Sequence, residues 1–244
     1  MHAAILTVGD ELLAGDTENT NATWLCRQLA DRGVSVKRVL TVPDELDAIA
    51  DAVRVFSANY DAVIVTGGLG GTPDDITMDG VAAGFDRELE ANDLAREDVE
   101  RTLAAIADDY PDLNVDIAAE ATLPAGARPL LNREGLSPGC VVENVYVLPG
   151  IPGEMKAMFG DIESEFAGSV VSAFLYTEEP EANLIDRLRE AGSKFDVQVG
   201  CYPDREQEHN RLKVSGEDAA AVEEAKNWLA ANVETVAGEN ADDA

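Results

Sequence analysis

Histidine is nearly absent from this chain. Only two occur in 244 residues, His2 at the terminus and His209 in a charged run. A Ser-His-Asp hydrolase or a His-ligated zinc site therefore has little material to draw on. Cysteine is also scarce. Cys26, Cys140 and Cys201 are scattered, odd in number and contain no CxxC pair. They read as reduced packing residues of a cytoplasmic protein rather than a disulfide framework. Long apolar runs are missing. The longest lie near Val170–Tyr176 and Ala62–Val65, far short of the roughly 20 residues that span a bilayer. Met1–Leu6 shows neither a basic segment nor a small-residue cleavage site, so no secretory leader is expected.

Positive charge is the next shortage. Lys and Arg number 18 against 48 acidic residues, for a formal charge of −30. Binding to nucleic-acid phosphates relies on a basic surface, and so does docking on anionic lipid; neither partner is expected. So large a surplus repels itself at low salt. Molar salt screens it, because the Debye length falls to about 3 Å at 1 M. The composition thus points to a halophilic setting, with an acidic protein of ordinary cytosol as the plainer alternative.

What is present is a chain able to bury a core, with 45% hydrophobic residues and 27% charged. The order of patterns is strand, helix, strand, helix. Ala3–Val8 reads as a strand. Asn21 then caps a helix with Ala22, Leu25, Cys26 and Leu29 on one face, closed by Gly33. Val34–Val42 is a second strand, and Asp44 caps the helix that follows it. Asp61–Thr66 is nearly all apolar, as a strand covered on both faces should be. Thr77 opens a helix, and Asp93–Asp109 forms another. Shorter strands follow near 129–131, 140–142 and 145–148, then a helix bearing Met155, Met158, Phe159, Ile162 and Phe166. Such alternation implies βαβ units and a mainly parallel sheet. Composition shifts near 167–169. Beyond it the pattern is strand 170–176, helix 181–191, strands 195–201 and 211–214, and helix 218–233. The expected organisation is an α/β domain over 1–168, a small α+β domain over 169–237 and a polar tail over 238–244.

In open α/β sheets, ligands bind beyond the carboxyl ends of the strands. Three loops fall there. They are Gly9–Gly15 with Glu11, the turn holding Asp44, and Thr66–Thr77 with Gly67, Gly68, Gly70 and Gly71. Consecutive glycines let amides converge on an anion with no Cβ in the way. The helix start at Thr77 favours the same charge. The loop is neither a Walker loop nor GxGxxG. Asp74 and Asp75 beside it would repel a phosphate unless a cation lies between, and Mg²⁺ suits one or two carboxylates plus phosphate oxygens. Each acid also has a plainer reading: Asp74, Asp75 or Asp44 as a helix cap, Glu11 as a solvated loop residue. Leu148–Gly153 likewise reads as a tight strand-to-helix turn. Trp24 and Trp228 read as packing residues.

Taken together, Gly9-Asp-Glu-Leu-Leu-Ala-Gly15, Thr20-Asn21, Thr66-Gly-Gly-Leu-Gly70 with Asp74-Asp75-Ile-Thr77, Asn132 with Ser137-Pro-Gly139, and Leu148-Pro-Gly-Ile-Pro152-Gly-Glu-Met155 strongly resemble the N-terminal domain of CinA proteins. That domain is similar to the molybdenum-cofactor proteins MogA and MoaB. The resemblance covers Ala3–Phe166, and Gln198–Pro203 is similar to the KH-like domain that follows in CinA proteins.

The resemblance implies a three-layer α/β/α MogA/MoaB-like domain with a mainly parallel sheet, followed by the small α+β KH-like domain. It implies an assembly of two or three copies. It also implies a pterin or nucleotide ligand held by Asn21, Thr66, Gly67, Gly68, Gly70, Gly71, Thr72 and Thr77. Ser137, Gly139, Pro149, Gly150, Pro152 and Glu154 complete the implied set. Asp44 and Asp75 match the aspartates that matter for activity in the MogA group. With Glu11 they form the expected catalytic set, and Asp75 and Glu11 the metal ligands.

CinA-type domains are associated with metal-dependent cleavage of ADP-ribose. The implied cofactor is a divalent metal, Mg or Co, together with K⁺, and no tightly bound organic cofactor. The chain ends before the nicotinamide-mononucleotide deamidase domain that CinA proteins often carry. Two departures stand out. Gly71 replaces the family's Pro, which predicts a looser loop, and Asn19 replaces an acid. The reading is a nucleotide pyrophosphatase releasing AMP and ribose 5-phosphate. A molybdopterin adenylyltransferase and a non-catalytic pterin- or nucleotide-binding module remain open alternatives.

Overall fold

In a computed structural model, residues 1–204 and 208–236 are described. The chain divides into two compact units, Met1–Gly168 and Ser169–Ala244. The expected polar tail 238–244 lies outside the described residues.

The first unit begins with β1 (His2–Val8), α1 (Asp10–Ala14), α2 (Thr20–Asp31) and β2 (Ser35–Val42). It continues with α3 (Leu46–Asn59), β3 (Ala62–Thr66), α4 (Thr77–Gly84) and β4 (Leu89–Ala91). Next come α5 (Asp93–Ile106), α6 (Ile117–Glu120), β5 (Thr122–Pro124) and β6 (Arg128–Leu130). β7 (Gly139–Val142), β8 (Val145–Leu148) and α7 (Pro152–Ile162) close it. The main sheet has six strands in the order β2-β1-β3-β8-β7-β6. Its first four are parallel neighbours, and β7 and β6 add on antiparallel. This is the expected three-layer α/β class with a mainly parallel sheet.

Alternation along the central strands builds two cores. Ala4, Leu6, Val63 and Val65 face one way, with Ile49, Val53 and Phe56 of α3 and Val81 of α4. Ala3, Ile5, Ala62 and Ile64 face the other, with Leu25 and Leu29 of α2 and Met155, Phe159 and Ile162 of α7. Both faces of β1 and β3 are thereby buried, which is why these strands read as unbroken apolar runs. α4 lies close on α3: a Cβ at Gly80 would come 2.5 Å from Ile49, and one at Gly84 2.8 Å from Val53.

Two expected caps are corrected. Asn19, not Asn21, caps α2, its Oδ1 accepting from the Ala22 amide at 3.1 Å. The helix starts earlier than the apolar repeat suggested, and Asn21 sits in its first turn with its side chain free to reach sideways. α3 starts at Leu46 with Glu45 at the cap position and no side-chain cap. Asp44 instead accepts from the Asp10 amide at 2.8 Å. α1, α6 and the β4–β5 ribbon were not expected. They are too short to show a hydrophobic period.

The second unit holds β9 (Val171–Thr177), α8 (Glu181–Phe195), β10 (Gln198–Asp204), β11 (His209–Gly216), α9 (Ala219–Asn232) and β12 (Thr235–Val236). Its sheet is antiparallel in the order β10-β11-β9-β12. Leu184, Leu212, Val214, Val222, Ala225 and Leu229 form its core. α8 runs past the expected end at Ala191 through Gly192. It stops at Asp196, which takes the left-handed conformation (φ 54) usually left to glycine. Among the described residues no helix is long and apolar enough to cross a membrane.

Candidate functional site

Parallel order brings the ends of β1, β2 and β3 to one edge, and the three expected loops meet there. The glycine loop leaves β3 at Thr66. Gly67 (φ 108) lies against the Val8 carbonyl and Gly68 (φ 62) against the Thr77 hydroxyl, so a Cβ at either would collide. The Gly67 amide donates to Leu148 O at 3.3 Å, and the Thr77 amide to Gly68 O at 3.1 Å. The amides of Gly68 and Gly70 have no acceptor among the described residues. Of the glycines expected to turn their amides toward an anion, Gly67 has thus given its N–H to the neighbouring strand.

Thr72 and Asp75 close the loop on itself. The Thr72 amide donates to Asp75 Oδ2 at 3.0 Å, and its hydroxyl lies 2.6 Å from both Asp75 Oδ2 and Asp74 Oδ1. A Cβ on Gly70 would come 2.5 Å from Asp75 Oδ2. Neither aspartate caps α4, which has no side-chain cap. Asp75 is instead held under the glycines.

Two asparagines tie the other walls. Asn19 Nδ2 donates to Thr7 Oγ1 at 3.0 Å, beside Thr41 Oγ1, 2.9 Å from that of Thr7. Asn21 Nδ2 donates to Gly150 O at 2.7 Å and to Thr66 Oγ1 at 3.2 Å, while Thr66 donates to Pro149 O. Asn21 Oδ1 and the hydroxyl of fully buried Thr77 are left without partners.

Three cavities open around the loop, and Asp75 lines all of them. The first, about 250 Å³, holds Glu11, Asn21, Asp44, Thr66, Gly67, Gly68, Asp74, Gly150 and Pro152. The second, about 330 Å³, holds Gly70, Gly71, Thr72, Glu120 and Ser137. The third, about 750 Å³, holds Gly70, Gly71, Glu120, Ser137, Pro149 and Glu154, beneath Ile106 and Tyr110. Of the expected site residues, Thr77 lies behind the loop. Gly139 lines none of the three; it is buried in β7, where a Cβ would strike the Val147 carbonyl, and its role is packing.

Some participants escaped the sequence reading. Glu120 ends α6, accepts from Ser137 Oγ at 2.9 Å and stands 3.0 Å from where a Gly71 Cβ would lie. Nothing in its local sequence marks it, since it meets the loop through tertiary packing. Asn132 was named for its motif, but its work was not evident. Fully buried, it donates to Glu154 Oε2 at 2.6 Å and to Ser137 O at 3.1 Å, and its amide donates to buried Asp98 at 2.7 Å. Asp98 is also paired with Arg101.

No Lys or Arg among the described residues lines these cavities. Acids crowd them instead. Burial pushes the Asp44 carboxyl above its ordinary pKa, with Asp10, Glu11 and Asp74 adding repulsion against the Asp10 N–H bond. Burial likewise raises Glu120, with Asp75 and Asp116 contributing. The Thr72 hydroxyl lowers Asp74. Among the described residues no group of three or more His, Cys, Asp or Glu is close enough to cage a metal. The donor set nevertheless fits a hard cation that takes part of its oxygen shell from a ligand, since every available donor is oxygen.

The family model described as "Probable molybdopterin binding domain" matches residues 4–167. That described as "FAD synthase, middle domain" matches residues 169–240. A protein of Archaeoglobus fulgidus is 34% identical over 227 residues, covering 92% of this chain and 95% of that one. A CinA-like protein of Frankia casuarinae is 44% identical over 168 residues, 65% of this chain and 38% of its own length. Among solved structures, the protein CinA of unknown function from Thermoplasma acidophilum matches with a TM-score of 0.58 and 36% identity. That match covers 68% of this chain and 97% of that one.

Proposed function

The chain belongs to the family of the molybdopterin-binding domain matched over residues 4–167, and from that premise we propose that it cleaves a pyrophosphate-linked nucleotide of the ADP-ribose type with the help of a divalent cation. One observation carries the reading. Asp75 lines three cavities, under glycine amides that have no acceptor among the described residues, in a site with acids and, among those residues, no basic side chain. A pyrophosphate is drawn to such amides and repelled by such acids. A bound cation resolves the conflict by neutralising phosphate charge.

Asp75 and Glu11 would hold that ion, Mg²⁺ or Co²⁺. It would stabilise charge on the departing phosphate. The chain's own residues do the rest. The Gly68 and Gly70 amides bind phosphate oxygens. Asp44, held by the Asp10 amide at 2.8 Å, faces the same cavity as Glu11. Burial raises its pKa, which suits it to take a proton from water. Water adds to one phosphorus, the bridging P–O bond breaks, and AMP and ribose 5-phosphate leave.

The test is incubation with ADP-ribose, Mg²⁺ or Co²⁺ and molar KCl, with chromatography for AMP. Turnover in the parent chain, lost in Asp44→Asn and Asp75→Asn that melt normally, is expected. No AMP with either metal refutes the reading. The family match itself favours a second reading, adenylyl transfer from ATP to a pterin phosphate. Metal-dependent AMP transfer to molybdopterin, without ADP-ribose cleavage, would put that reading in its place.

A further inference from the structure

Two of the three cavities lined by Asp75 differ in chemistry as well as size. The smaller has polar walls. Asn21 Nδ2 is committed to Gly150 O and Thr66 Oγ1, so the orientation of the amide is set and Oδ1 is left without a donor. At about 250 Å³, with Thr7, Asn19 and Asn21 in its walls, this cavity suits a sugar bearing hydroxyls.

The larger, about 750 Å³, falls in the range of about 300–1,000 Å³ typical of ligand pockets, which are mostly apolar with a few polar groups. Ile106, Tyr110, Val115 and Leu136 line it, and Tyr110 is 62% exposed. Its charged groups are all carboxylates. Asp116 caps α6, Glu120 accepts from Ser137 and Glu154 from Asn132. Such walls repel a second phosphate. They accept a flat ring that carries N–H donors.

The geometry points to an orientation for the ligand: its amino-substituted heterocycle, purine or pterin, stacks on Tyr110 in the large cavity, and the sugar beyond the phosphates, the terminal ribose of an ADP-ribose-type ligand, lies on the Asn21 side of Asp75. This deepens the nucleotide reading and rests on it for the presence of phosphate at the loop, but not for cleavage. Tyr110 becomes the specificity-determining residue for the ring, and the acids around it select amino-bearing rings over carboxylated ones.

The experiment is calorimetric titration of the full chain, in Mg²⁺ and molar KCl, with AMP, dihydroneopterin monophosphate and ribose 5-phosphate. Removing an aromatic platform weakens binding of a stacked base by about tenfold or more. Tyr110→Ala is expected to do so for whichever ring-bearing ligand binds, while ribose 5-phosphate affinity stays unchanged. Tyr110→Phe keeps the stacking face and restores affinity to within about twofold, as the ring and not its hydroxyl carries the contact. Because Tyr110 is largely exposed, the variants should fold, and a thermal melt checks this. AMP and pterin arms identify the ring. If Tyr110→Ala leaves ring-bearing ligands unaffected, weakens ribose 5-phosphate equally, or if neither ring-bearing ligand binds, the orientation is refuted. An unchanged Tyr110 effect with no ADP-ribose cleavage retires the hydrolase reading and leaves the orientation standing.

Discussion

Gly68 offers the sharpest test of how the loop is held. Its φ of 62 lies in the left-handed region, and a Cβ there would collide with the Thr77 hydroxyl, with the Thr77 Cβ at 3.3 Å and Asp44 Oδ1 at 3.5 Å. Gly68→Ala therefore carries two separable costs. The left-handed conformation costs an L-residue roughly 1–2 kcal/mol. Pressing an extra methyl into a filled site costs about 1–3 kcal/mol more. Together they predict a loss of about 2–5 kcal/mol, or about 5–15 °C in Tm for a domain of this size.

Thr77→Ala isolates the second cost. The Thr77 hydroxyl has no hydrogen-bond partner, so its removal breaks no bond; losing the buried methyl costs about 1 kcal/mol or less. In that background Gly68→Ala should show only the conformational cost. The coupling in the double-mutant cycle should thus reach about 1–3 kcal/mol, read from thermal melts of the four proteins in molar KCl. Equal losses in both backgrounds would show that the hydroxyl is not the obstacle. No loss from Gly68→Ala alone would refute the left-handed loop.

Two further outcomes follow from charge. The Glu120 carboxyl is raised in the folded state, so the folded chain holds that proton more tightly than the unfolded chain. Stability from this group is present at low pH and lost as pH rises from the ordinary carboxylate range through the raised value. Glu120→Gln should therefore melt higher than the parent at pH 7, and the advantage should vanish below the ordinary glutamate range. An advantage that persists there would refute the burial argument. The charge of −30 predicts a higher Tm in molar KCl than at low salt, read in the same melting assay. Equal melting in both would remove the halophile reading.

The legible parts of the fold were those with long periods. β1, β3 and α7 could be read because burial on both faces, or on one helical stripe, writes itself into the residues. The caps were not legible in the same way. Asn19 and Asn21 are the same residue type two positions apart, and only the start of α2 decides which one caps and which one crosses to Thr66 and Gly150. Glu120 escaped for a stronger reason. It meets the glycine loop only through the fold, and no local pattern records such a meeting.

Composition and spacing alone determined that this is an acidic α/β chain with a glycine loop suited to anions and carboxylates close behind it. The family entered through resemblance to known motifs, and those motifs sit in turns where the backbone demands glycine or proline. Tertiary structure decided which amides of the loop remain free, which acid is shared by the three cavities around it, and that no basic side chain among the described residues lines them. Those outcomes depend on distances between residues far apart in the chain. Pairing β3 with β8 takes the Gly67 amide, and packing α6 beside the loop brings in Glu120.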